Sequence, residues 1–233
     1  MATKQQIPKI AATFVEFQGE FSVLSTEDGQ WVIQNGKEAV KLAADAIANR
    51  AKLVAPPVAP EQPLLGDVVA VYTVPATTKK FVVKDKIKVD TSEKAKVKIS
   101  YVGENFHSWF GGKIEEPLPG DAVYGRDLNR RSVDKPILAE LGGEEKAITT
   151  CTEIYAMMVA QPNGETGELK NNGFANIFYV PDINGVLRAV RVFWYGRGWY
   201  VEADSVENAN PWDADYRVWS RVPSRNSSDA QTC

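Results

Sequence analysis

The spacing of apolar residues changes character once along the chain. Between residues 37 and 50, Val40, Ala43, Ala44, Ile47 and Ala48 recur at intervals of three and four, which predicts a helix with a thin, alanine-rich stripe. Ser25, three residues before Asp28, predicts an N-cap for a short helical turn ahead of it, and Asn35-Gly36 interrupts the two. The segment LVAPPVAPEQP, 53–63, then holds four prolines, which remove backbone donors and favour an extended spacer. These shifts divide the chain into a helical arm with a proline-rich linker (1–63), a β-rich main domain (64–222) and a polar, disordered tail (223–233).

From Gly66 onward the period is two. DVVAVYTV, 67–74, reads as a strand stopped by Pro75, and residues 174–181, 186–195 and 199–206 read as three consecutive strands. Asp182-Ile183-Asn184-Gly185 and Gly196-Arg197-Gly198 supply the turns, and 216–222 adds a further alternating run. Connections this short cannot cross over, so antiparallel pairing is expected. Thr150 and Glu153 form a capping box, followed by the apolar positions Ile154, Tyr155, Met158 and Val159 and a stop at Pro162-Asn163-Gly164. The fold class read from this is α+β: a mostly antiparallel β-sheet domain with one packed helix, preceded by a helical N-terminal arm. Residues 109–143 show little periodicity and read as a long irregular connection.

The segment KFVVKDKIKVDTSEKAKVKIS, 80–100, reads as a hairpin. Phe81, Val83, Ile87 and Val89 share one parity, as do Ala95, Val97, Ile99 and Tyr101. Lys84, Lys86, Lys88, Lys94, Lys96 and Lys98 take the other. Pairing in which partner numbers sum to 182 keeps the oily faces together across a turn at Asp90-Thr91-Ser92. It also sets lysine against lysine, at a cost of roughly 0.2–1 kcal/mol per opposed pair. Lysines do protect sheet edges and cover apolar surface with their stems. A face chosen for solubility alone would mix Glu with Lys, so six charges of one sign point to an anionic partner.

Charge sharpens this picture. The chain of 233 residues carries −3, yet residues 79–98 hold eight lysines against Asp85, Asp90 and Glu93, which puts +5 there and −8 on the remainder. A wholesale nucleic-acid binder would be basic overall. The lysine parity also lacks the aromatics and arginines that nucleic-acid surfaces interleave. In the aromatic C-terminal run, Trp194, Trp199, Tyr200 and Trp212 are candidates for ring stacking or an interface, against the alternative that they fill the core. Arginines 188, 191, 197, 217 and 221 lie among these rings.

Catalytic signals are sparse. His107 is the single histidine, which removes multi-histidine metal sites, and a pairing with Cys151 lacks any local nucleophile signature. No phosphate-cradling or nucleophile-elbow motif occurs, and Asp213-Ala214-Asp215 is too short for a calcium loop. Two cysteines give no disulfide framework, and no run is long and apolar enough for a membrane span. The expectation is a cytoplasmic, non-catalytic interaction or structural protein without cofactor or metal. It self-assembles or docks an acidic protein surface through the lysine-lined hairpin, with no membrane partner. Two other readings stay open: single-stranded nucleic-acid binding, and an enzyme with a carboxylate site in the 104–135 loop, where Glu115, Glu116, Asp127 and Asp134 lie.

Overall fold

The computed structural model describes residues 25–48 and 63–221. The proline spacer up to residue 62 and the expected disordered tail lie outside the described residues. The chain divides into two units, Met1–Glu61 and Gln62–Cys233.

The first unit holds α1 (Thr26–Gln34) and α2 (Gly36–Ala48). Ser25 caps α1 as its sequence predicts, its hydroxyl accepting the Asp28 amide at 3.1 Å. Asn35 ends the helix by returning both its backbone and side-chain N–H groups to the Trp31 carbonyl. Trp31, Ile33, Val40 and Leu42 of this pair are exposed.

The second unit is built on a seven-stranded sheet in the order β1-β5-β9-β6-β7-β8-β3. Its strands are β1 (Leu65–Val74), β3 (Ile99–Val102), β5 (Asp121–Leu128), β6 (Asn176–Pro181), β7 (Leu187–Tyr195), β8 (Gly198–Ser205) and β9 (Arg217–Ser220). The turns at 182–185 and 196–197 make β6, β7 and β8 consecutive and antiparallel, as expected. The sheet as a whole is mixed, not mostly antiparallel, because β9 runs parallel to β6 and β3 parallel to β8. Short connections force antiparallel pairing only between neighbours in sequence. β9 returns after the whole β7–β8 hairpin, and β3 precedes β8 by about a hundred residues, so both are free to align in parallel.

Nor does one helix suffice to cover it. The run NIFYVP of β6 is buried on both sides: Phe178 and Val180 enter one apolar cluster, Ile177 and Tyr179 the other. On the first face lie α4 (Glu104–Phe110), through Phe106 and Phe110, and α7 (Cys151–Ala160), through Ile154, Met157 and Met158. Each of these fully buried side chains contributes about 1.5–3 kcal/mol. The second face is covered by α5 (Asp134–Glu140), through Ile137 and Leu138, by α6 (Glu144–Ala147), through Ala147, and by Trp212. The capping box of α7 forms as read: the Thr150 hydroxyl accepts the Glu153 amide, and the Glu153 carboxylate accepts the Thr150 amide at 2.7 Å.

Residues 81–101 do not form the expected hairpin. Phe81–Val82 (β2) pairs with Ile114–Glu115 (β4) in a separate two-stranded sheet. Val83–Lys86 (α3) makes one helical turn, closed by the Ile87 amide on the Val83 carbonyl at 2.8 Å. Within the segment only Asp90 and Ile99 face each other, exchanging two backbone bonds of 2.9 and 3.0 Å. The reason lies in the spacing. Val83 and Ile87, four apart, suit one side of a helical turn as well as one side of a strand. The helical choice carries Lys84 and Lys86 away from Lys98 and Lys96, which the hairpin would have set opposite.

Burial followed the alternation even where the strands did not. Phe81, Val83, Ile87, Val97 and Ile99 are all buried in the first cluster, while Val89 is exposed. Tyr101 is turned outward by a register shift in β3: Ile99 faces Trp199 in the core, yet Tyr101 faces Tyr200 on the opposite side of the sheet. Gly198 permits this, since a Cβ there would stand 2.4 Å from the Ser100 hydroxyl and 2.9 Å from the Lys98 carbonyl.

Candidate functional site

The lysine segment is anchored by its buried apolar residues and presents its charges outward. Lys84 and Lys86 lie exposed on α3, and Lys88 follows, also exposed. Lys94, Lys96 and Lys98 belong to the loop closed by the Asp90–Ile99 bridge; the first two are exposed and Lys98 is half-buried. Among the described residues none of the six forms an ion pair. Asp90 sits within the loop, its carboxyl held below the usual range first by the Ser92 amide and hydroxyl, with Lys88 assisting. Glu165, bound by Asn163, lies within electrostatic reach of Lys98.

Lys98 connects this segment to the aromatic meander. Its amide donates to the Pro162 carbonyl, and its own carbonyl accepts the Trp199 amide at 2.8 Å. Thr91 and Lys98 share a cavity with Asn163, Trp194 and Arg197, so the lysine loop meets the β7–β8 turn.

The four candidate rings separate. Trp199 is fully buried and its indole donates to the Gln161 carbonyl at 2.9 Å. Trp212 is buried as well, with its indole on Asp134 at 2.7 Å. Trp194 is half-buried, packed edge-on to Trp199 and against Gly164. Tyr200 belongs to a surface on the other side of the sheet from Trp194 and Trp199.

That surface is a row of rings across three adjacent strands. Phe193 of β7, Tyr200 of β8 and Tyr101 of β3 stand directly opposite one another, with centroids 5.1 and 5.3 Å apart. Tyr195 meets Tyr200 edge-on at 5.7 Å. Tyr101 is 40 % and Tyr195 65 % exposed, and the other two are half-buried. The row occupies the end of the second face that α5, α6 and Trp212 leave uncovered, beyond Arg191, which pairs with Glu202. Phe193 and Tyr200 are brought opposite each other by the short β7–β8 turn. Tyr101 needed the register shift, which no local pattern signals.

The acids of the 104–135 loop take separate partners. Glu115 accepts from the start of α7 with Lys113 3.5 Å away, and Glu116 pairs with Lys80. Asp127 binds Arg217 and Lys170. Asp134 is buried, its Oδ1 receiving the Tyr179 hydroxyl at 2.8 Å and the Trp212 indole. Burial first, then Asp204, raises its carboxyl above the usual carboxylate range against those two bonds. Cys151 is fully buried, burial and neighbouring Glu115 push its thiol well up, and His107 is exposed on α4. Asp213 pairs with Arg131 at 2.9 Å. Among the described residues no group of three His, Cys, Asp or Glu side chains is placed to hold a metal, and no helix is long and apolar enough to cross a membrane.

The chain matches no protein-family model, no curated protein and no solved structure.

Proposed function

We propose that this chain is a non-catalytic docking protein whose lysine segment, 84–98, receives an anionic macromolecule. The observation that carries the reading is the set of exposed, unpaired Lys84, Lys86, Lys88, Lys94 and Lys96 on a segment held to the core by Val83, Ile87, Val97 and Ile99. A segment of net positive charge, in which exposed Asp85 and Glu93 are outnumbered by the lysines, on a body of opposite sign orients an approaching polyanion and raises its on-rate. The dispersal of the 104–135 acids to separate partners favours docking over carboxylate chemistry.

The test compares two triple charge reversals of the full chain on immobilised heparin. Lys86→Glu, Lys94→Glu and Lys96→Glu together should move elution to lower salt with an unchanged melting temperature. The control reversal at Lys37, Lys41 and Lys135, exposed and outside the segment, changes net charge equally. Equal elution of the two variants removes the proposal.

A further inference from the structure

We infer that two copies of this chain join edge to edge, the outer side of β1 over residues 70–74 pairing antiparallel with the same stretch of a second copy, so that the two seven-stranded sheets continue into one. The inference uses none of the lysines and stands apart from the docking reading above.

β1 ends the sheet order, so the outward N–H and C=O groups of its alternate residues have no strand beside them among the described residues. Devices that blunt such an edge are confined to its first half. Glu140 accepts the amides of Leu64 and Leu65 at 2.9 Å, Asp67 adds a charge, and two register shifts against β5 fall between Leu65 and Ala70. From Ala70 to Val74 the ladder with β5 is regular, and AVYTV carries neither charge nor proline. Val69 and Val71 are 56 % and 48 % exposed, and Thr73 is exposed beside them. The other end of the sheet differs: β3 has four residues, and Ile99 already exchanges both outward backbone bonds with Asp90. One open edge per chain gives a closed pair and no filament.

The edge fits a copy of itself. A two-fold axis through Tyr72 sets Ala70 opposite Val74 of the second copy, and Val71 opposite its Thr73. Partners then share parity, so outward backbone groups meet outward backbone groups. Val71 and Thr73 lie on the side of β1 away from Ala70, Tyr72 and Val74, which belong to the first cluster, and the pairing covers both with β-branched neighbours. No like charges are opposed, because Asp67 falls beyond the paired stretch. On the first face the axis passes Tyr72, whose hydroxyl donates to the Ala156 carbonyl at 3.1 Å. Around it Tyr155, Ala156 and Val159 of α7 are only partly buried, and the one charged residue of that helix, Glu153, is engaged by Thr150 and Arg221. A second copy therefore meets uncharged surface on both faces of the edge.

Light scattering on the full chain at about 100 µM, where a dimer of micromolar Kd is mostly associated, should give twice 25.7 kDa. The dimer should persist at about 1 M salt, where charges are screened within about 3 Å. Two double variants at exposed positions, Val71→Lys with Thr73→Lys and Val71→Glu with Thr73→Glu, should each be monomeric alone and should form a dimer when mixed in equal amounts. A monomeric parent overturns the inference. Double variants that stay dimeric alone would place the interface elsewhere in the chain, and a parent dimer lost at high salt would move it to the lysine segment. Variants that remain monomeric when mixed would show that β1 does not pair with β1.

Discussion

Glu115 Oε2 accepts both the amide and the hydroxyl of Thr152, at 2.8 and 2.6 Å, while its Oε1 accepts the amide of Cys151 at 3.0 Å. A carboxylate from β4 thus satisfies the first two N–H groups of α7, where the helix dipole is positive and the surroundings are dry. This contact joins the small sheet to the principal helix of the first face.

Glu115→Ala should therefore destabilise the second unit by about 3 kcal/mol, because it strands buried amides and leaves Lys113 without its carboxylate. Glu115→Gln retains an acceptor and should cost less. Urea unfolding followed by tryptophan emission measures both; equal losses would mean that a neutral acceptor at this position contributes nothing.

Asp134 makes a pH-dependent prediction. An acid whose folded pKa is raised holds its proton more tightly when folded, so its stabilising contribution is complete below the unfolded pKa and is lost as pH rises through the folded one. Burial is the main cause of the rise here. Asp134→Asn removes the titration and keeps an oxygen for Tyr179 and Trp212. Its urea midpoint should gain on the parent's between about pH 4 and pH 7. A difference that does not change with pH would show that Asp134 ionises alike in both states.

Gly198→Ala tests the register shift in β3. The added methyl meets backbone at the Lys98 carbonyl, which cannot swing away as a long side chain would. A loss of about 1–3 kcal/mol is expected, with faster hydrogen exchange at the amides of Trp199 and Gly103, which bond the carbonyls of Lys98 and Val201. Unaltered exchange would mean that β3 stays seated without the glycine.

What could be read from the sequence was local. The β6–β7–β8 meander followed from its turns, and α7 from a capping box that needs only Thr150 and Glu153. The lysine segment escaped because Phe81, Val83 and Ile87 satisfy two periods over so short a run, and the choice between them depends on β4, which lies beyond Gly111-Gly112. β5 escaped because DAVYGRDL puts charge where a strand reader expects apolar residues. Asp127 is accommodated through partners distant in sequence, Arg217 and Lys170. Of the aromatic row only Tyr200 was a candidate from the sequence, and Phe193 joins it across a tight turn. Its third ring arrives from a strand about a hundred residues earlier.

The strand order has a consequence for how the protein is made. β1 and β3, separated by fewer than thirty residues of chain, stand at opposite ends of the sheet, six strand spacings or about 29 Å apart. Every strand between them except β5 is synthesised after residue 175. A nascent chain halted before β9 therefore owns both outer strands but lacks the piece that joins β5 to β6, and the ribosome must reach the last strand before the sheet can close.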